Sequence, residues 1–414
     1  MRTPQHRRIT ARTRPALRMA AALAALGLLA ACSKDKSPDE PAKLTPLPHP
    51  TLNVKKMWSR SVDNKQAIPL RLGLGVSVAD NRVYAAGHLG ILAAFDLAKG
   101  KVLWRKRTGV PLSGGTAASE RLVLVGSNDG RLLAFNPADG ASLWTVRLNG
   151  EVLAPPAIAE RLIAVRTVDG KLHALSPDDG HELWSQQQPV PRLSLRGTAR
   201  PEIVGDVVLC GFDNGKVVAV NGGDGSVQWE TQVTPPHGRT ELERVIDIDS
   251  QVSVSGRDVY AVGFQGRMAM LALDTGQIWW SHEASSYRGL VFDDDTLYVS
   301  DANGEVVALK ARTGVELWRQ DVLLNRKLSA LGIMDLALVT GDYQGYVHFL
   351  DKATGALAAR VSTSGKVSIS TAPVVVGNQV VVVNDRGQVT AFRVTPRSGA
   401  GSRAGKADAA VESD

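Results

Sequence analysis

The amino-acid sequence predicts an all-β fold: an eight-bladed β-propeller of four-stranded antiparallel blades, with the ring closed by the N-terminal strand. Three observations carry this. One unit recurs eight times, each unit alternates apolar and polar residues, and the last unit lacks a piece that the chain supplies ahead of the first. Alternation with period 2 is the signature of a half-buried strand. A period of 40–50 residues built from strands is the signature of propeller blades.

The chain opens with residues 1–31, which read as a lipoprotein signal peptide. Residues 1–18 are basic and residues 19–31 (MAAALAALGLLAA) are apolar and uncharged. That run is shorter than the roughly 20 apolar residues a bilayer span needs, so it fits a secretory signal. It ends in Leu29-Ala30-Ala31-Cys32, which resembles the bacterial lipobox. The resemblance implies that Cys32 is acylated and becomes the mature N-terminus, and Ser33 after it implies sorting to the outer membrane. Residues 32–53 are expected to form a flexible tether, being rich in Pro and charge with no strand or helix period.

The repeat follows. Glu120 to Trp144 (ERLVLVGSNDGRLLAFNPADGASLW) and Glu160 to Trp184 (ERLIAVRTVDGKLHALSPDDGHELW) each place two alternating apolar runs about an Asp-Gly turn, then a second Gly with Trp four residues on. The first-turn glycines run from Gly90 to Gly387, seven intervals averaging roughly 42 residues. One small sheet cannot bury both of its faces, so the units must stack as blades, and the Trp is expected to wedge between neighbouring sheets. The seventh copy, Met334 to Ala359, lacks the Trp, and the eighth stops after Phe392. Val54-Lys55-Lys56-Met57-Trp58 supplies an orphan Trp strand to complete it. The propeller is expected over 54–395, followed by a disordered tail over 396–414.

Two connections break the period. From a Trp to the next first-turn Gly is 26 residues after Trp104 and after Trp144, but 31 after Trp184 and 37 after Trp229. Both enlarged connections are of one type, so they should emerge side by side on one face, as loops over 187–201 and 233–250. Loops on a rigid scaffold are where binding residues gather. Leu193 and Leu195 alternate with Ser194 and can face one way. Arg196 offers a fork of donors to a carboxylate. Asp247 and Asp249, two apart, could hold Arg196 or receive a partner's cations. A purely structural reading fits too, with the leucines covering a loop core and the Asp–Arg pair bracing two loops.

Composition narrows the function classes. The net charge is +7, but six arginines lie in the first 31 residues, which carry no acid and no Lys. The body is near neutral, so nucleic acid is not an expected partner. Cys32 and Cys210 form no Cys-x-x-Cys, and Cys210, in the apolar run Val207–Cys210, reads as a buried small hydrophobe. Asp293-Asp294-Asp295 reads as a solvated turn. The eight histidines show no metal-ligand spacing, and neither a nucleophile elbow nor a phosphate-cradling loop is present.

The Asp-x-x-x-Gly-x-x-x-Trp units, as in Asp96 to Trp104, resemble the pyrroloquinoline-quinone-enzyme repeat. Quinoprotein dehydrogenases carry such repeats, and so does the BamB family, lipoproteins of the outer-membrane β-barrel assembly machinery. The lipobox, tether and eight copies together resemble the BamB family, and Leu193–Gly197 and Arg244–Asp249 are its more specific segments. The resemblance implies a non-catalytic scaffold without cofactor or metal, on the periplasmic face of the outer membrane. The partners it implies are BamA, other Bam subunits and nascent outer-membrane β-barrel proteins. It further implies that Leu193, Leu195, Arg196, Asp247 and Asp249 contact the soluble periplasmic domains of BamA. The alternatives are a propeller lipoprotein with another partner and a quinone-dependent dehydrogenase. The dehydrogenase would need a channel-bound cofactor, a calcium site and a catalytic Asp, and that family's adjacent-cysteine disulfide has no counterpart in Cys32 and Cys210, which lie far apart. Deleting residues 54–60 is expected to lower the thermal midpoint of the whole domain, and an unchanged midpoint in the truncated protein would refute closure by the N-terminal strand.

Overall fold

The computed structural model describes residues 39–63, 74–195, 197–236, 239–240, 243 and 245–397. The expected signal peptide, Cys32, Arg196 and the expected tail beyond residue 397 lie outside the described residues. Thirty-two strands, numbered in chain order from β1 (Leu52–Ser61) to β32 (Gln388–Pro396), form eight four-stranded antiparallel sheets. Seven sheets use four consecutive strands. The eighth runs β1, β32, β31 (Gln379–Val383), β30 (Val374–Val376), so the N-terminal strand closes the ring. The first strands of neighbouring sheets touch and are innermost. The Trp strands are outermost: β5 (Val102–Arg107), β9 (Ser142–Arg147), β13 (Glu182–Gln187), β17 (Val227–Gln232), β21 (Ile278–Ala284), β25 (Glu316–Gln320) and, in the last blade, β1.

The core is divided among the seams between blades. Eight apolar clusters are buried, each drawn from two adjacent blades. In seven seams the Trp indole N–H donates to a backbone carbonyl in the outer hairpin of the next blade, as Trp58 to Leu97 at 2.8 Å and Trp184 to Gly222 at 2.9 Å. The same ring lies against the second glycine of that next blade. Gly140 adopts φ +70°, and a Cβ there would come within 2.6 Å of the Trp104 ring. The Gly and Trp that recur together are therefore partners across a seam rather than within a blade.

In six of the seven blades that carry the Trp, it is opposed by Ala. Ala94, Ala134, Ala174, Ala219, Ala308 and Ala391 face Trp104, Trp144, Trp184, Trp229, Trp318 and Trp58, and Met270 faces Trp280. A β-bulge beside each pair turns the preceding residue outward, which explains why Leu103, Leu143, Leu183, Trp279 and Leu317 are exposed. In the seventh blade the sizes are exchanged, with Ala359 facing Phe349. The reason lies next door: where the eighth blade would have an outer hairpin, it has β32 ending and β1 beginning, so no hairpin carbonyl or glycine awaits a Trp.

The expected tether is shorter than 32–53. Strand β1 already begins at Leu52, and residues 42–51 lie along the seventh blade as a strap. Ala42 N–H donates to Leu324 O at 2.9 Å, and Arg326 Nη1 donates to Ala42 O at 2.9 Å. Leu44 packs into the apolar seam of the sixth and seventh blades. Arg360 Nη1 donates to Thr45 O at 2.9 Å, and Thr51 N–H donates to Ala358 O at 2.9 Å. Arg326 is itself held by Asp342, which also meets His348 Nε2 at 3.0 Å, all three being buried. The ordered fold also runs past 395, since β32 ends at Pro396 and Arg397 N–H donates to Thr51 O. Trp58→Ala is expected to cost about 3–5 kcal/mol in urea unfolding. Ala359→Trp is expected to bring no gain, because its seam offers no acceptor.

Candidate functional site

The two enlarged connections flank the fourth blade. One joins β13 to β14 (Glu202–Val204) and the other joins β17 to β18 (Ser253–Ser255). Both begin as the regular ones do, with an N–H donated to the first-turn glycine of their own blade: Gln188 to Gly170 O at 2.9 Å and Val233 to Gly215 O at 3.0 Å. The first then carries Pro189 and Pro191, which remove backbone donors and keep it off any ladder. Leu193 is 44% exposed, Leu195 is half-buried, and the segment returns through buried Thr198 and Ala199. The second makes a turn in which Arg239 N–H and Thr240 N–H donate to Glu243 Oε2 at 2.7 and 3.1 Å. It then descends into the ring.

That descent departs from the expected protruding loop. Val245, Ile246 and Ile248 are buried, and Phe264 N–H donates to Asp247 O at 2.8 Å. Asp247 is fully buried and Asp249 half-buried. The structure nevertheless brings the two segments together. Asp247 Oδ2 accepts from the Leu195 N–H, and a Cβ on Gly197 would lie 2.7 Å from Asp249 Oδ2, so only glycine permits that approach. Arg196 stands between these two contacts in sequence. Leu193 thus sits on the surface, Leu195 at its edge, and Asp247 beneath it.

Sequence reasoning missed two residues of this cluster. Arg166, fully buried at the end of the apolar strand Ile163–Arg166, pairs with Asp213 at 3.0 Å and lies 4.4 Å over the Phe212 ring. An Arg continuing an apolar run was the available signal. Burial, reinforced by the neighbouring Asp213, pushes the Asp247 carboxyl up to about 7. Burial and repulsion from Asp247 and Asp213 push Asp249 up to about 8. Arg166 opposes both shifts. Each aspartate leaves Oδ1 buried without a hydrogen-bond partner among the described residues, which suits a protonated or strongly hydrogen-bonded carboxyl better than a free anion.

Chemically, this is a shaped surface. Among the described residues no group of His, Cys, Asp and Glu could hold a metal ion. Cys210 is fully buried, and burial pushes its thiol up to about 12, far from a reactive thiolate. Asp294 takes φ +52° in the turn between Asp293 and Asp295, and Asp293 is spent on Lys352.

Comparison with known proteins bears on the whole ring. A family profile described as outer membrane protein assembly factor BamB matches residues 88–320 and 302–398. The chain belongs to the BamB family. The BamB of Pseudomonas aeruginosa is 46% identical over 89% of this chain and 97% of its own length. That of Kangiella koreensis is 40% identical over 89% and 94%. The crystal structure of BamB from Moraxella catarrhalis superposes with a TM-score of 0.75 at 26% identity, covering 82% of this chain and all of that one. A quinohemoprotein alcohol dehydrogenase from Pseudomonas putida superposes with a TM-score of 0.66 at 13% identity, a likeness of fold alone.

The raised carboxyls set a pH dependence. The folded protein keeps protons that the unfolded chain releases above about pH 4, so their contribution is fully present below that pH and is lost as pH rises through 7 and 8. The thermal midpoint is expected to fall between pH 6 and pH 9. Asp249→Asn is expected to shrink that fall, and an equal fall in the variant would overturn the assignment.

Proposed function

We propose that this BamB-family chain is a non-catalytic scaffold subunit of the outer-membrane protein assembly machinery. It is anchored to the periplasmic face of the outer membrane through acylated Cys32 and assists folding and insertion of β-barrel proteins. The observation that carries the docking site is the junction of the two enlarged connections at the Leu195 amide and the Asp247 carboxylate. On this reading Leu193 and Arg196 reach the periplasmic domains of BamA, and Leu195 sits at the rim. Asp247 and Asp249 act from below, holding the Leu195 amide and the Gly197 backbone. An exposed Leu beside an Arg on a braced loop is the composition of a binding anchor. A scaffold rather than catalytic role is supported by the family's assembly-factor name.

The test is recovery of a BamA-type barrel from outer membranes with the acylated protein. Arg196→Ala and Leu193→Asp are each expected to lower recovery by tenfold or more, on the order of 1.4 kcal/mol. Asp247→Asn, which can still accept from Leu195, is expected to lower it less than Asp247→Ala. Full recovery with the Arg196 and Leu193 variants would sink the site, and recovery of no barrel partner would point to the alternative of another periplasmic partner.

A further inference from the structure

The outer wall of the ring is electrically divided. Three consecutive outer strands around the closure, β1, β5 and β9, carry Lys55, Lys56 and Arg60, then Arg105, Lys106 and Arg107, then Arg147, with no acid. All seven side chains belong to exposed residues. The next four outer strands, β13, β17, β21 and β25, carry Glu182, Glu230, Glu283 and Glu316 against the single cation Arg319.

Pairing deepens the contrast. On the acidic side each glutamate has a basic neighbour: His173 at 2.7 Å, Lys216 at 2.6 Å, Arg267 at 3.1 Å and Arg319 at 2.6 Å. On the basic side Arg60 donates to Gly100 O, and Arg105 to Ser61 O and Val62 O, which are carbonyls without net charge. Neighbouring Arg131 is matched by Asp129 at 3.0 Å, whereas none of the seven has a carboxylate in ion-pair distance among the described residues. The near-neutral sum of the body conceals a rim rich in cations outside ion-pair distance of any described carboxylate, beside one whose glutamates are each paired.

We propose that this basic rim of the eighth, first and second blades lies on an anionic phospholipid surface. Two observations favour lipid over a shaped partner. The cations spread over the edges of three successive blades, matching a delocalised sheet of phosphates. Exposed Val102, Leu103 and Leu143 interleave with them on the same strands, giving the mixed apolar and basic face that suits a headgroup boundary. The proposal rests on the anchored reading only for the place of the membrane, because the assay below needs neither acylation nor BamA.

The ring closes between Leu52 and Pro396, so the chain from Ser33 onward keeps the whole fold without its acyl group. It is expected to co-sediment with vesicles containing phosphatidylglycerol, not with phosphatidylcholine alone, and to be released by salt. Each cation near an anionic surface raises partitioning roughly fivefold. Lys56→Gln, Lys106→Gln and Arg107→Gln together should therefore lower it about a hundredfold. The matched triple Lys171→Gln, Arg257→Gln and Lys310→Gln, with the same loss of charge elsewhere, should leave it within about twofold of the parent. No sedimentation, or equal loss in both triples, overturns the proposal. Release by millimolar glycerophosphate would reassign the rim to free phosphates. Loss of BamA-domain binding in the first triple, with vesicle binding unchanged, would reassign it to a protein. Leu193→Asp should leave vesicle binding intact, which separates this rim from the docking loops.

Discussion

Each blade is a small sheet with two faces to hide, and what hides them is the indole of the neighbouring blade. The Trp of an outer strand fills the seam with its ring and satisfies its one donor on the next blade's hairpin carbonyl, at 2.8 to 3.1 Å. A buried indole needs both apolar contact and an acceptor, and the seam supplies both at one point. The surrounding pattern follows. The hairpin residue under the ring must be glycine, and the residue opposite the Trp in its own blade is Ala in six blades of seven. The bulge that seats the ring throws the preceding Leu or Trp into solvent. A sequence repeat that looks like a list of favoured residues is thus one contact, written once per seam.

The same contact explains the single exception. The seventh-to-eighth seam has no hairpin to receive an indole, because the chain's two ends meet there. The Trp is gone, Phe349 has taken its volume from the opposite strand, and Val54, Leu52 and Val394 fill the remainder. The latch of the last blade is Trp58, carried by the N-terminal strand and closed on the first blade.

Much of this was legible in the sequence because period, turn glycines and Trp spacing are local signals repeated eight times. The orphan strand at Trp58 could be assigned by what the last copy lacked, and the enlarged connections by their excess length. What escaped were features without a period. Residues 42–51 look like a linker by composition, yet they are held by Arg326 and Arg360, whose purpose no local pattern reveals. Asp247 looks like surface because it alternates with isoleucines, but both kinds of residue are buried, the Asp by accepting a backbone N–H from the other connection. Arg166 and Asp213 lie in different blades and meet only on folding. Net charge averaged away a division between two sides of the ring, since a sum over the chain carries no position.

If Cys32 is acylated as proposed, the strap along the seventh blade alters the mechanics of attachment. Twenty residues of free leash from Cys32 to Leu52 would extend about 70 Å, whereas the ten steps from Cys32 to Ala42 extend about 35 Å. Effective concentration falls as roughly the −3/2 power of linker length, so halving the length raises the local concentration of the ring's binding surfaces, as met by anything fixed in the same membrane, about threefold. With an acyl chain on Cys32, the buried Arg326–Asp342 pair beneath the strap would set how many residues separate the anchor from the ring.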